Sequence, residues 1–185
     1  MFAIALVHYP VYNKNRKVTA SAVTLLDMHD ASRIAKTYDL AATYIVTPVK
    51  NQIRIAERTL GYWTKGYGSI YNPDRAEALS TVRIVTSVEE AKGDLEGILK
   101  TPVKVVATSA RQIEGANKIT FRELANAQFN FLLLFGTAWG LTDEFVKSVD
   151  FLLEPVQAGR YNHLSVRAAM AIIVDRLCVT MKENA

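Results

Sequence analysis

The residue types that could do chemistry gather late in this chain. An apolar run, Phe131 to Phe135, stops at Gly136, and Gly140 follows four residues later. Leu141-Thr142-Asp143-Glu144 then reads as the start of a helix. A short apolar run bounded by turn residues is a buried strand. Glycine at its exit lets backbone approach a ligand with no Cβ in the way. Strand, glycine loop and helix start in succession suggest a small-molecule site at the carboxyl edge of a sheet. Two further strand exits have the same character: Ala107-Thr108-Ser109, small and hydroxyl-bearing, and Leu153-Glu154-Pro155. If these strands are parallel neighbours, all three exits open on one edge. The loop Tyr161-Asn162-His163-Leu164, ahead of the last helical stretch, then closes the site.

Other chemistries are poorly supplied. There is no G-x-G-x-x-G, no phosphate-binding loop and no G-x-S-x-G. His8, His29 and His163 make no triad that spacing supports. Asp27, His29 and Asp30 put three potential ligands together, but no second ligand group with recognisable spacing lies nearby, so no metal is expected. A hydrolase using Gly136 to Gly140 as an anion hole lacks a nucleophile–base pair. Cys178 is a single cysteine in an apolar helical pattern; it excludes an internal disulfide and reads as a core residue in a cytoplasmic protein.

The elements that must position these residues follow from patterning. A chain of 185 residues, half of them hydrophobic, reads as a single domain over 1–185 with one core. The net charge of +4 permits a polyanionic partner without arguing for one. No window approaches the ~18 apolar residues of a membrane span. The opening FAIALV reads as a first strand rather than a signal peptide. Strands are expected over 2–8, 42–47, 82–86, 103–107, 131–135 and 150–153. Helices are expected over 24–38 (Asp27 as cap), 50–64, 88–99, 120–128 and 163–181. Such alternation means an α/β fold, a mainly parallel sheet flanked by helices. Val11 to Val18 is a basic loop holding Lys14 and Arg16, solvated or in contact with phosphate. The stretch from Gly61 to Arg75 interleaves Tyr67 and Tyr71 with Lys65 and Arg75, which suits stacking of an unpaired base or, equally, plugging of the core. The last helix has an apolar stripe wider than one sheet contact needs, which suggests a partner.

Taken together, three motifs resemble the SPOUT, or α/β-knot, family of RNA methyltransferases. LLLFGTAWGLTDE is similar to the family's second motif and YNHLSVRAAMAIIVDRL to its third. LDMHDASRIAKTY is a looser counterpart of the first, with Arg33 at its arginine position. HYPVYNKN and GYGSIYNPDR resemble a bacterial subgroup whose domain stands alone. The resemblance implies a C-terminal trefoil knot, a homodimer through the last helix, and S-adenosylmethionine as cofactor. It places cofactor contacts at Thr108, Ser109, Phe135, Gly136, Leu153, Asn162, His163 and Leu164. It implies methyl transfer to a nucleotide of tRNA or rRNA, with Arg33 holding phosphate or orienting the nucleophile, and with Asp143, Glu144 and Glu154 as candidate bases. RNA contacts are expected at Lys14, Arg16, Lys65, Tyr67, Tyr71 and Arg75. A module of the same shape that binds RNA or a nucleotide without turnover is the alternative.

Overall fold

The computed structural model describes residues 1–156 and 159–183. The chain runs β1 (Phe2–Val7), β2 (Val11–Tyr12), β3 (Val18–Thr19), α1 (Leu25–Thr37), β4 (Thr43–Val46), α2 (Lys50–Thr64), α3 (Tyr67–Tyr71), α4 (Pro73–Leu79) and β5 (Val82–Val85). It continues with α5 (Val88–Leu99), β6 (Val103–Thr108), β7 (Lys118–Ile119), α6 (Phe121–Ala125), β8 (Asn130–Gly136), α7 (Asp143–Ser148), β9 (Phe151–Leu153) and α8 (Val166–Glu183). Seven strands form one sheet in the order β5-β4-β1-β8-β6-β9-β7. Every pairing in it is parallel, so the expected α/β fold with a mainly parallel sheet is what the chain adopts.

Parallel strands buried on both faces read as continuous apolar runs, as FAIALV and FLLLF do. Successive side chains nevertheless part company. Phe2, Ile4, Leu6, Phe131, Leu133 and Phe135 face one helical layer, where Met170 and Leu177 of α8 and Met28 of α1 meet them. Ala3, Ala5, Val7, Leu132 and Leu134 face the other, with Ala91 and Leu95 of α5 and Val146 of α7. This is the period-2 alternation of a strand acting inside a two-sided core.

Several local expectations shift. The expected basic loop after β1 contains a hairpin, with Val11 and Tyr12 paired to Thr19 and Val18. Between the expected strand at 103–107 and the expected helix from 120, Lys118 and Ile119 form β7, which completes the sheet edge against β9. Thr24, not Asp27, caps α1: its hydroxyl accepts from the Asp27 N–H at 3.2 Å and donates to the Asp27 carboxylate at 2.6 Å. A hydroxyl with extended backbone serves the first turn, whereas Asp27 already lies inside the helix. Thr120 and Glu123 form a capping box at the start of α6, which ends at Ala125 rather than at the expected 128. α8 begins at Val166 rather than His163, because Ser165 caps it by accepting from the Ala168 N–H.

Leu133 sits in the middle of β8 with no solvent exposure. Leu133→Ala is expected to cost about 2–5 kcal/mol, since the surrounding sheet cannot collapse into the void. Urea unfolding should show the midpoint falling with the slope unchanged.

Candidate functional site

The three strand exits singled out by patterning are brought together. β8 lies next to β6 with Ala107 beside Leu134, and β6 lies next to β9 with Thr108 beside Leu153. The Thr108 hydroxyl donates to the Leu134 carbonyl at 2.8 Å and ties two exits directly. A cavity of about 440 Å³ opens between them. Thr108, Ser109, Phe135 and Gly136 form one side, and Asn162, His163 and Leu164 close the other. Leu153 does not line it: its side chain is buried in the core with Phe135 and Ile173, and the residue borders a second cavity of about 440 Å³ shared with Lys118, Phe121 and Arg176. Asn162 is fixed by donating its side-chain amide to the Ala110 carbonyl at 3.1 Å. Val166, Ala169 and Ile173 of α8 also face the first cavity, so part of the wide apolar stripe serves as its wall.

Gly136 is required for a different reason from the one its spacing suggests. A Cβ there would lie 2.6 Å from the Leu141 nitrogen and 3.1 Å from the Gly140 carbonyl carbon. The clash is with the chain folding back on itself, not with ligand space. The loop turns through Ala138 (φ 52°) and Gly140 (φ 89°), the latter a left-handed conformation suited to glycine. The hairpin then clamps it: the Tyr12 N–H donates to the Gly140 carbonyl at 2.9 Å, and the Trp139 N–H donates to the Tyr12 carbonyl at 3.1 Å.

Below the loop runs a buried polar relay. The Thr137 hydroxyl donates to the Val7 carbonyl at 3.0 Å, and Ser21 Oγ lies 2.5 Å from it. Ser21 Oγ in turn meets His8 Nδ1 at 3.0 Å. A carbonyl can only accept, so the chain of protons runs one way and His8 Nδ1 is the donor. Burial, opposed by the Asp27 charge and the Ala22 carbonyl, brings the His8 pKa down to about 4. His8 is therefore neutral at pH 7, and it locks the cavity floor to the segment leading into α1.

Asp143 is already engaged. Its carboxylate accepts from Arg111 Nη1 at 2.5 Å and from Arg16 Nη2 at 2.7 Å. Both guanidiniums lie over the Tyr12 ring, at 4.5 Å and 5.5 Å for Arg16 and Arg111 respectively. Partial burial would raise the Asp143 pKa, but the Arg111 hydrogen bond and the two positive charges hold it below its ordinary value. A carboxylate so paired is a poor proton acceptor at neutral pH and acts here as an anchor. Glu144 accepts from the Tyr12 hydroxyl at 3.2 Å. Glu154 lines the cavity; its Oε1 accepts from the Phe121 N–H at 2.7 Å.

Arg33 is exposed on α1 and does not line the cavity. It lies one turn from His29, whose pKa is lowered by burial first and then by the charges of Arg75 and Arg33. Asp27 and Asp30, the tempting ligand pair, both face Arg167 of α8. Lys14 and Lys65 are exposed. Tyr67 and Tyr71 are exposed and stacked on each other, with centroids 6.3 Å apart. Arg75 is withdrawn from the surface: its guanidinium lies 4.4 Å from the Trp63 ring centroid.

Patterning missed Arg111, Thr137 and Trp139. Arg111 donates to the Leu141 carbonyl at 2.8 Å and holds the loop from outside. Trp139 lines the cavity yet is 60% exposed. A tryptophan between two loop glycines carries a signal, because so large an apolar group at a turn has no core to fill.

Residues 1–179 match the model of a family described as SAM-dependent RNA methyltransferase. The chain belongs to that family. It is 46% identical over 176 residues to a tRNA (guanine-N(1)-)-methyltransferase of Oleidesulfovibrio alaskensis, a match covering 94% of this chain and 41% of that protein. An uncharacterized protein of Aquifex aeolicus is 36% identical over 177 residues, covering 94% of this chain and 86% of that one. The chain spans about two fifths of the length of the guanine-N(1) relatives it matches. Among solved structures, the TrmH/SpoU tRNA modifying enzyme of A. aeolicus superposes with a TM-score of 0.57 at 16% identity, over 99% of this chain and 76% of that one. The fold is thus that of the SPOUT-class RNA methyltransferases.

Two outcomes are expected from this geometry. Gly136→Val should lower thermal stability as well as S-adenosylmethionine affinity, because the loop must move; scanning calorimetry and titration calorimetry measure both. The Asp143 contribution is full above its ordinary pKa of 3.8 and fades as the pH falls through its lower folded value. As the pH falls from 3.8 to that lower value, stability should therefore fall less steeply in Asp143→Asn than in the parent.

Proposed function

We propose that this chain transfers the methyl group of S-adenosylmethionine to a nucleotide of RNA, either tRNA or rRNA. The reading is carried by one observation: two glycine- and hydroxyl-bearing strand exits and the Asn162 turn converge on one cavity in a chain that belongs to the SAM-dependent RNA methyltransferases. Small-molecule sites run to about 300–1,000 Å³, so the size fits. The donor set fits as well. Phe135, Leu164 and Ile173 supply apolar walls, while backbone groups and the Thr108 and Ser109 hydroxyls supply polar contacts.

Bound S-adenosylmethionine supplies a methyl already activated by its sulfonium. The protein's work is then to bind, orient the nucleophile and accept its proton. Thr108, Ser109, Phe135, Gly136, Asn162, His163 and Leu164 are the proposed cofactor contacts, with Leu153 contributing through its backbone at the third exit. Glu154 is the better-placed candidate base: it lines the cavity, and its Oε2 has no hydrogen-bond partner among the described residues. Asp143 keeps the glycine loop in register. Arg33 holds a target phosphate or orients the nucleophile. Lys14, Lys65, Tyr67 and Tyr71 contact RNA directly; Arg16 and Arg75, committed to Asp143 and Trp63, act by shaping that surface.

The names of the Oleidesulfovibrio and Nitratidesulfovibrio relatives support tRNA as the substrate, although their guanine N(1) activity belongs to chains more than twice as long as the match. The wide stripe on α8 supports a homodimer through that helix, and the family resemblance supports a trefoil knot at the cavity. No helix among the described residues is long and apolar enough to cross a membrane. An RNA substrate places the work in the cytoplasm.

The test is labelled-methyl transfer from S-adenosylmethionine to unmodified total RNA, followed by nucleoside mapping. Arg33→Ala is expected to keep cofactor affinity within about twofold and to lose at least tenfold in transfer, and each tenfold corresponds to about 1.4 kcal/mol of barrier. Cofactor and RNA binding without any transfer would assign the chain to the non-catalytic module instead. Equal transfer by the two proteins would remove Arg33 from the mechanism.

A further inference from the structure

The outer face of α2 carries a feature that the cofactor cavity does not use. Ala56, Leu60 and Trp63 pack inward on the core. On the opposite side Lys50, Arg54, Arg58 and Tyr62 follow one another at four-residue intervals, all exposed. Each interval advances about 6 Å along the helix. Glu57 is the one acid in the helix. Among the described residues no carboxylate lies within ion-pair distance of the three cations. A solvated helix face ordinarily alternates sign, because like charges four residues apart repel. A run of cations left unpaired calls for an external anion.

Both ends of this stripe lead somewhere. At the far end Tyr62, Tyr67 and Tyr71 are 50%, 66% and 71% exposed. Gly68 seats α3 directly on α2: a Cβ there would lie 2.7 Å from the Trp63 ring and 2.9 Å from the Tyr62 ring. The aromatic group is therefore carried on two closely packed helices, which suits stacking better than a loop does. At the near end Gln52 accepts from the Val23 N–H at 2.7 Å. Two residues earlier, Ser21 meets Thr137 on the cavity lining. The stripe thus begins beside the cavity edge and ends at a stacked aromatic cluster, about 18 Å along the helix.

We propose that α2 is a track for a single-stranded segment of RNA. Lys50, Arg54 and Arg58 hold successive phosphates; Tyr62, Tyr67 and Tyr71 receive unpaired bases; the strand is led toward the cofactor cavity. Repeated backbone charge and sequence-tolerant stacking are how proteins hold single strands. An anionic lipid surface would also meet the cations. The stacked Tyr67 and Tyr71 rings favour the flat face of a base over acyl chains. This inference rests on the RNA reading above and adds the path the substrate takes.

The test measures the affinity of the full chain for unmodified bulk tRNA and for a labelled ~12-nucleotide oligouridylate across a salt series. The triple variant Lys50→Gln, Arg54→Gln, Arg58→Gln is expected to bind both more weakly. Its slope of log affinity against log salt should be shallower by about 2, since each phosphate contact on a single strand contributes about 0.7. Arg83→Gln, Lys92→Gln, Lys104→Gln removes the same charge from cations already paired to carboxylates, and should keep the parent slope. Unchanged S-adenosylmethionine affinity in both triples shows that the fold is intact. If the parent binds RNA and the α2 triple keeps its slope, the track is overturned while the RNA reading stands. If the parent binds neither probe at low salt, both fall. If the α2 triple instead loses binding to phosphatidylserine vesicles and keeps RNA binding, the face is a membrane site and the proposal is overturned.

Discussion

The loop after β8 folds back so tightly that the Leu141 nitrogen occupies the place where a Cβ on Gly136 would stand. Much of the site depends on this reversal. It allows residues 137–140 to lie across the ends of β1 and β8, where the Thr137 N–H donates to the Val7 carbonyl at 3.2 Å and the hairpin strand β2 pairs with Gly140. The loop's backbone groups are thereby satisfied at the very edge where parallel strands leave their last carbonyls and amides open. A buried backbone group without such a partner would cost roughly 1–3 kcal/mol. The hairpin after β1 supports the cavity for this reason: Tyr12 bonds to Trp139 and Gly140 of the lining loop, although no hairpin residue lines the cavity itself.

Two devices hold the reversal, one on each side. Outside, Asp143 draws Arg111 and Arg16 together over the Tyr12 ring, so the hairpin, the β6 exit and the start of α7 meet at one carboxylate. Inside, the neutral His8 passes a hydrogen bond through Ser21 to Thr137. The outer clamp is partly exposed and is screened by salt. The inner relay is buried and is not. Because Ser21 leads into α1, the inner relay also links the cavity floor to the helix that carries Arg33, and Arg167 of α8 bonds to the same helix at Asp27 and Asp30. Cavity, α1 and α8 therefore form one connected set, which is how groups far apart in the chain can be held for a single reaction.

Most of the fold was legible before any coordinate. FAIALV and FLLLF are unbroken apolar runs because parallel central strands have no solvent face, and the alternation of such runs with helical periodicity leaves few arrangements other than a parallel α/β sheet. Thr108, Gly136 and the Asn162 turn, which line one cavity, were legible as neighbours because strand exits need small, flexible or hydroxyl-bearing residues. Asp143 and Arg75 were misjudged for a common cause: a charged residue in a loop or at a helix start reads as available, and nothing local announces the partner that occupies it. Arg16 and Arg111 claim Asp143 from 127 and 32 residues away. Leu153 was placed at the right exit, yet it is buried in the core and does not line the cavity, since alternation along a three-residue strand is too short to orient by pattern alone.

The sequence by itself determined the main strands and helices, the strand exits and the family resemblance, because these depend on local periodicity, turn chemistry and short motifs. The tertiary structure decided which side chains remain free. Gly136 became a requirement of chain reversal rather than of ligand space, Asp143 an anchor rather than a base, and α2 a face of unpaired cations ending in stacked tyrosines. Each of these depends on a partner, or on the lack of one, contributed by distant parts of the chain. Such pairings are fixed by packing in three dimensions and leave no trace in spacing along the chain.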